Sequence, residues 1–490
     1  MSEQQTIEAE TTARADAESA CGVASGNGPG GAAAAPERGA VAEILRIAAP
    51  SVATMASYTV MQFVDGLMVA RITPHDPMNL AAQGNGGLAA WIPMSVVAGM
   101  SAVVNTYVAQ HLGAGTPRAG PAYAWNGLWL SLLAAALMIP YAVVLPSIMS
   151  AAGHDPRLIP LECEYARILI AGAFFSMATR AIAQYFYGMH RPGVVLGAAL
   201  AGNAVNLAGN YALIFGAWGA PALGLTGAAI ATVLGSVVEL AIPMWVFLSK
   251  RAHQAYGTRD AWRPSRRHLR DIVRLGWPGG LMFGNEMVCW GYFMIFLVGR
   301  FGSDHSAASL IAQRYMHISF MPAVGISFAM TAVVGRCLGA GRPDLARSRA
   351  RAGLGLSVVY MTLCAGTFLV FRDSMAHAFT DDPRVLAIAR TLIVVAALFQ
   401  LFDALGITII GILRGAGDTV WPGVATVVLS WACIVGLGHL FAWLRPDWES
   451  VGPWIGCAAY ITALGLVLFH RFARGDWAAR RVVRTPAAGH

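Results

Sequence analysis

Four carboxylates lie inside long apolar stretches of this sequence, where a charge is costly. They are Asp65, Glu239, Glu286 and Asp403. A charged side chain at the centre of a bilayer costs about 2.5 kcal/mol or more. A buried carboxylate lowers this cost by taking up a proton, by binding a metal cation or by pairing with a positive side chain. The first two would be cation coupling, and the third would be a structural role.

Arg180 and Arg314 are the strongly basic residues that lie well within these stretches. Two positive charges cannot neutralise four acids, and acids inside a membrane are functional by default. We therefore assign Asp65, Glu286 and Asp403 to cation coupling. Glu239 lies towards the inner end of its stretch, within reach of interfacial water or a basic group, and we favour a structural role for it.

Asparagines form a second polar group. The segment AGNAVNLAGNYALIFG places Asn206 and Asn210 four residues apart on one helix face, with Asn203 one turn before them. Such a stripe either lines a cavity or hydrogen-bonds neighbouring helices. The sequence leaves both interpretations open.

The composition places the whole chain in a membrane. Of its 490 residues, 56% are hydrophobic and 12% are charged, and the mean hydropathy is +0.56. A soluble protein of this length would be far less apolar. The net charge is +8, but the basic residues lie mostly between apolar stretches, which favours a membrane surface over nucleic acid as their partner. The seven cysteines form no CxxC pair, which argues against a disulfide framework or a metal cluster.

Twelve apolar segments are long enough to cross a bilayer as helices, which takes roughly 20 residues each. We predict spans at 44–70, 79–111, 122–146, 160–189, 193–216, 223–249, 270–300, 306–337, 351–371, 384–413, 419–443 and 452–470. Lys and Arg concentrate on one side, above all in KRAHQAYGTRDAWRPSRRHLRDIVR after the sixth span. By the positive-inside rule, that side is cytoplasmic, and so are both termini.

The two halves of the chain resemble each other. ILRIAAPSV in the first span matches IVRLGWPGG in the seventh, LAAQ ending at Gln83 matches LIAQ ending at Gln313, and GMSAVVNTYVAQHLGAGTP matches GISFAMTAVVGRCLGAGRP. Landmarks at nearly one offset indicate a duplication. Because each copy has an even number of spans, both copies run in the same direction and are related by a pseudo-twofold axis along the membrane normal. Two six-helix lobes with a cleft between them are the architecture of a secondary transporter.

This division gives a disordered cytoplasmic N-terminal tail, a first six-helix lobe, a cytoplasmic loop, a second six-helix lobe and a cytoplasmic C-terminal tail, at residues 1–40, 41–250, 251–268, 269–472 and 473–490. The first forty residues are small and polar and have no apolar core of the kind a signal peptide needs. The sequence has no GxxxxGK[ST] phosphate loop, which argues against an ATP-driven pump. It also has neither GxSxG nor HExxH, which argues against an intramembrane enzyme.

Together these segments resemble the multidrug and toxin extrusion (MATE) family, whose members have twelve helices in two six-helix bundles. The resemblance runs from about Ile44 to the end of the last span. It is carried by FVDGLMVA, VAQHLGAG, NAVNLAGNYALIFGAWGAPALGLTGAAIAT, VRLGWPGGLMFGNE, SLIAQRYM, GRCLGAGRP and LFDALGITIIGILRGAGDTVWP. Within the family, the sequence looks most like the NorM-type branch.

That branch has an acid in FVD of the first helix, matched by Asp65. It has a Glu eight residues after the seventh-helix proline, matched by Glu286, and a Gln-x-x-Asp in the tenth helix, matched by Gln400 and Asp403. By resemblance, Glu286 and Asp403 form the cation site of the second lobe, holding Na⁺ if the protein is sodium-coupled, and Asp65 couples the first lobe to it. Arg314 departs from the pattern and puts an extra positive charge near the second-lobe cavity, where it can pair with an acid.

The resemblance also implies a polar lining for the substrate cavity. Asn206 and Asn210 match the paired asparagines of the fifth helix, and Arg180 matches an arginine of the fourth helix. We place Gln400 and Gln313, which ends the repeated LIAQ, in the same lining.

The resemblance thus implies an inner-membrane antiporter that exports lipophilic, often cationic, organic compounds in exchange for H⁺ or Na⁺ by alternating access. Its expected partners are the organic substrate, the coupling cation and the lipid bilayer, with no further cofactor, no nucleic acid and a monomer as the working form. The alternative is a lipid-linked precursor flippase of a related transporter family. A strongly cationic cavity would favour that alternative because pyrophosphate needs basic partners, whereas the intramembrane groups here are chiefly acids.

Overall fold

The computed structural model describes residues 37–72 and 78–483, and these residues form helices and short connections without a β-strand. Residues 1–36 of the predicted N-terminal tail and residues 484–490 of the predicted C-terminal tail lie outside the described residues. Helices are expected in a bilayer because each one satisfies its own backbone hydrogen bonds.

In the described residues, eleven helices are long and apolar enough to cross a membrane, and one bent pair supplies a twelfth span. The spans are α1 Gly39–Ala70, α2 Met78–Gly113, α3 Pro117–Ala151, the bent pair α4 Ile159–Ala171 with Ala173–Gly188, α5 Pro192–Phe215, α6 Leu225–Phe247, α7 Arg266–Phe301, α8 Ser303–Gly339, α9 Pro343–His377, α10 Pro383–Gly415, α11 Val420–Leu444 and α12 Val451–Arg474. They confirm the predicted all-α membrane fold with twelve spans.

Large apolar side chains stay exposed along these helices. Leu137 is 69% exposed, Val143 is 70% exposed and Trp443 is 75% exposed. Exposure on this scale is unfavourable in water but costs nothing against lipid tails. The exposed faces therefore agree with a multi-pass membrane protein.

The chain divides into two compact units. The first unit consists of Ala53–Val108 and Pro117–Gly280, and the second consists of the described residues up to Val52, Ala109–Thr116 and the described residues from Leu281 on. Three of these bounds fall within α1, α2 and α7 and the fourth lies between α2 and α3, whereas the lobes predicted from the sequence, 41–250 and 269–472, divide the chain between spans. The lobe boundaries stay a prediction.

Glycines bring helices together at the same repeat position in each unit. In the first unit, a Cβ on Gly99 of α2 would meet the carbonyl oxygen of Gly279 of α7. In the second unit, a Cβ on Gly325 of α8 would lie 2.7 Å from the backbone nitrogen of Val52 of α1. Gly99 and Gly325 occupy matched positions in the repeated segments, so the duplication seen in the sequence recurs as a helix contact.

The described part of the predicted C-terminal tail is packed rather than free. Trp477 is 1% exposed, and Asp418, in the turn after α10, accepts hydrogen bonds from Arg471 at 2.9 Å and from Arg480 at 2.9 Å. The backbone N–H groups of Val482 and the next residue donate to Gln110 Oε1 at 2.9 and 3.1 Å. Residues 475–483 are therefore held to the second unit.

Candidate functional site

Asp65 of α1 is surrounded by amide groups from α5. Asn210 donates a hydrogen bond from Nδ2 to Asp65 Oδ1. Asn206, with its amide oriented so that both of its polar atoms have partners, donates to the same oxygen at 2.8 Å and accepts from Thr232 of α6 at 3.2 Å through Oγ1 and at 3.1 Å through the backbone N–H. The carboxylate is half-buried. The asparagine stripe therefore does hydrogen-bond a neighbouring helix, and its partner is the first intramembrane acid.

The polar contacts of α1 continue towards the start of that helix. Asn203 donates to Ser57 Oγ at 3.2 Å, and the Tyr58 hydroxyl donates to Glu239 Oε1 of α6. Tyr58 and Asp65 are seven residues apart, which is about two helical turns or ~10 Å along α1. α1 thus presents one polar face to α5 and α6.

Close packing of α5 on α6 positions the residues of this face. A Cβ on Gly202 would lie 3.0 Å from Glu239 Cβ, and a Cβ on Gly235 would lie 3.0 Å from Asn206 Cβ. Each glycine would also bring its Cβ to 2.9 Å from the backbone oxygen of the other. Small residues at a helix crossing allow this approach, and it fixes Asn206 and Glu239 at the same interface.

Glu286 of α7 and Asp403 of α10 lie close enough to interact electrostatically. Both are half-buried. Tyr460 of α12, which is 5% exposed, lies within electrostatic reach of both carboxylates. In the described part of the chain, neither carboxylate has a hydrogen-bond donor or an ion-pair partner, so this pair differs from Asp65 in its surroundings.

Helix irregularities flank the Glu286 region. α7 contains a π-helical segment at Phe293–Val298, and α11 contains one at Ser430–Leu437. The side chain of Asn285 joins the two helices, since it donates to Ser430 Oγ at 2.9 Å and accepts from Trp431 Nε1 at 2.7 Å. π-helical turns are frequent at functional sites, and here they accompany the acid that the sequence selected.

The other predicted lining residues have different surroundings. Gln400 of α10 is 1% exposed and donates to Ser319 Oγ of α8 at 2.9 Å. Gln313 is half-buried on α8, and its neighbour Arg314 is exposed. Arg314 forms no ion pair within the described ranges, and its charge acts on His317 instead. The described residues thus show no pairing of Arg314 with an acid, and that pairing stays a prediction.

Arg180 of α4 lies against an aromatic ring. Its Cζ is 4.5 Å from the centroid of the Trp91 ring of α2, and its charge reaches Tyr58 and Glu239. The guanidinium is exposed rather than enclosed. A guanidinium over an indole face is a cation–π contact.

A metal ion would need further ligands beyond these acids. The described residues contain no group of three or more His, Cys, Asp or Glu side chains that could hold one. Na⁺ bound between Glu286 and Asp403 would therefore complete its shell with neutral oxygens or water, which hard cations accept readily.

Tyr58, Trp91 and Tyr460 were missed by the sequence-based assignment. Each is an aromatic residue in an apolar span, where its polar or π-electron character is hidden among lipid-facing and packing side chains. The partner of Tyr58 is Glu239, 181 positions away, and no local sequence signal indicates such a contact.

The fold and the acids within its spans define a multi-pass membrane protein of the transporter class. The chain belongs to the MatE family, whose model matches residues 50–212 and 283–438. This confirms the MATE resemblance, and MATE proteins are multidrug efflux transporters rather than enzymes.

Similar proteins include the multidrug resistance protein PmpM of Pseudomonas aeruginosa, which is 33% identical over 460 residues covering 91% of this chain and 93% of that protein. The probable multidrug resistance protein NorM of Pseudomonas putida is 32% identical over 468 residues, covering 91% of this chain and 97% of that protein. Among solved structures, a MOP superfamily transporter from Pyrococcus furiosus has a TM-score of 0.81 at 21% identity, covering 91% of this chain and 97% of that one. That structural likeness concerns the fold alone.

Proposed function

We propose that this protein is an inner-membrane antiporter that exports lipophilic, often cationic, organic compounds in exchange for H⁺ or Na⁺. The observation that carries the proposal is the contrast between two acid sites. Asp65 has two amide donors, whereas Glu286 and Asp403 act on each other without a donor in the described residues.

The second site is suited to loading by a cation. Two neighbouring carboxylates repel each other, and this repulsion is stronger where the effective dielectric constant is low. A proton or a Na⁺ ion removes the repulsion and so binds with a large gain. Glu286 and Asp403 are each half-buried, so part of their surface remains open to an arriving ion.

The first site is suited to couple ion loading to a change of conformation. Asp65 ties α1 to α5 through hydrogen bonds that depend on its oxygen atoms. A ligand shifts an equilibrium between two states only if it prefers one of them. We assign ion binding to Glu286 and Asp403. We assign to Asp65 the hydrogen bonds that stabilise one conformation of the first unit over the other.

The orientation that we propose for the transporter in the membrane rests on the distribution of its basic residues. The region around the short helix Lys250–Tyr256 and the start of α7 is rich in basic residues, which favours a cytoplasmic position for it and for both termini. The inner membrane and a monomeric working form complete the proposal. The names of the relatives, multidrug resistance proteins, support export of drug-like molecules.

The test is transport of a fluorescent organic cation by the full chain in sealed vesicles, with H⁺ and Na⁺ gradients imposed separately. We expect one of the gradients to drive transport and Glu286→Gln combined with Asp403→Asn to abolish it. Asp344→Asn is the matched control, because Asp344 is a carboxylate whose side chain is 95% exposed. Transport that persists with both gradients collapsed, or full activity in the double variant, would refute the coupling.

A further inference from the structure

The environment of Glu239 is not that of a residue paired only for stability. Its carboxylate accepts one hydrogen bond, from Tyr58, and no other donor reaches it in the described ranges. An ionised carboxylate has room for about four acceptor contacts. The side chain is half-buried rather than enclosed, which leaves part of its surface accessible.

A positive charge lies within electrostatic reach of Glu239, but the described residues show no hydrogen bond or ion pair between the two. Arg180 acts on Glu239 electrostatically, yet its guanidinium lies over the Trp91 ring at 4.5 Å. A purely structural role would favour a direct ion pair between the two, since an acid inside a membrane is costly to leave without one. The first unit thus holds an acid and an aromatic face with an exposed cation from its own chain next to both.

We propose that Glu239, Tyr58, Trp91 and Arg180 form a recognition site for the positively charged group of an organic substrate. Arg180 occupies the Trp91 face in the absence of substrate, and the substrate's cation displaces it there. This inference rests on the proposed export of organic cations. In this proposal Arg180 competes with the substrate for the Trp91 ring. Glu239 and Trp91 are the groups that attract the substrate's cation.

The physical basis is that an organic cation can use both groups at once. A flat or shielded cation is attracted to the face of an indole ring, most strongly when it is desolvated. It also gains from a carboxylate that has only one donor. A guanidinium on a long flexible stem can leave the ring for water or for the open side of the Glu239 carboxylate, whereas a fixed side chain could not.

The test uses two probes of nearly the same shape and different charge. Tetraphenylphosphonium is a permanent cation, and triphenylphosphine oxide is a neutral analogue. Binding of each to the purified full chain in detergent is measured by calorimetry without an ion gradient, so the result does not depend on coupling. Melting curves show whether each variant is folded.

We expect Glu239→Gln and Trp91→Leu each to weaken tetraphenylphosphonium binding by about threefold to thirtyfold. Arg180→Gln is expected to tighten it by about threefold to tenfold, because it removes both the competitor and a like charge. Arg180→Lys keeps the charge and should stay within about twofold of wild type, and serves as the matched control. Binding of the neutral probe should not change with Glu239→Gln or Arg180→Gln.

The proposal requires that Glu239→Gln weakens tetraphenylphosphonium binding and that Arg180→Gln strengthens it. Purely structural roles for the two residues would not produce opposite changes in affinity. If Arg180→Gln weakens cation binding, or if both probes change alike, the site is overturned. If Glu239→Gln does not fold, the two Arg180 variants decide. Arg180→Gln must then still bind tetraphenylphosphonium more tightly than Arg180→Lys does. A wild-type protein that binds neither probe would count against the proposed substrate class, whereas binding with the wrong signs would count only against this site.

Discussion

On the roles proposed above, replacing Asp65 by asparagine should separate ion binding from coupling. The substitution keeps the size of the side chain and removes its charge. In the structure, Asp65 accepts from Asn210 and, at 2.8 Å, from Asn206. Hydrogen bonds between membrane helices contribute about 0.6 kcal/mol each on average. Two such bonds contribute about 1.2 kcal/mol together, which is the largest loss of stability that we expect from Asp65→Asn.

The same energy sets the expected functional effect. If only one conformation keeps both bonds, losing about 1.2 kcal/mol changes the ratio of the two conformations about eightfold. We therefore expect gradient-driven transport to fall by up to about eightfold. Glu286 and Asp403, to which we assign ion binding, belong to the second unit, and we expect their affinity for the ion to be kept.

Three measurements on one preparation decide this. Transport is followed with a fluorescent cation in vesicles, ion binding by calorimetry with Na⁺ and by proton release, and stability by thermal melting. Asp344→Asn, which makes the same chemical change on an exposed side chain, is the control. If ion binding vanishes with Asp65→Asn, Asp65 is itself an ion ligand and the division of roles is wrong. Full transport in the variant would refute the coupling role.

Three further predictions concern stability and packing in the second unit. Glu43→Gln should cost about 3 kcal/mol, because it leaves the Arg349 side chain, 5% exposed and 2.7 Å from Glu43, without its charge partner; a melting curve equal to wild type would contradict this. Gly339→Ala should lower the melting temperature at a cost of about 1–3 kcal/mol, since its Cβ would fall on a backbone carbonyl oxygen of α2. Gly355→Ala, which has open space around it, should not. Asp418→Asn should weaken its two arginine contacts and speed proteolysis within residues 475–483, and an unchanged digestion pattern would rule out that anchor.

Hydropathy was sufficient to predict the spans but not their irregularities. The fourth predicted span, 160–189, is continuous in the sequence, yet the helix bends by 49° at Gly172. A Cβ on Gly172 would lie 2.5 Å from a side-chain carbon of Val233, so packing against α6 shapes this region. A hydropathy window records how apolar a segment is and carries no information about its neighbours.

The sequence predicted which side chains share a helix face but not which residues of other helices they contact. The i, i+4 spacing of Asn206 and Asn210 predicted one shared helix face, and the structure gives that face Asp65 as its partner. Glu239 was assigned a structural role from its depth alone. Its contact with Tyr58 joins residues of α1 and α6 that are 181 positions apart, and Gly202 of α5 lies against the same side chain. Contacts at such separation follow from tertiary packing, which a single sequence does not display.

The duplication preserved helix packing while the acids diverged, and this contrast supports an asymmetric mechanism. Gly113 and Gly339 occupy matched positions of LGAG, and a Cβ on each would meet a backbone oxygen, that of Arg336 and that of Gln110, respectively. These two partners are also equivalent in the repeat. By contrast, Asp65 has amide donors, whereas the acids of the second unit have each other. A symmetric scaffold with two equal ion sites would gain nothing from such different surroundings. A coupling ion drives transport only through a difference in affinity between states, and the different surroundings of the two acid sites agree with the separate roles that we propose for them, which are ion binding at Glu286 and Asp403 and the response of the first unit at Asp65.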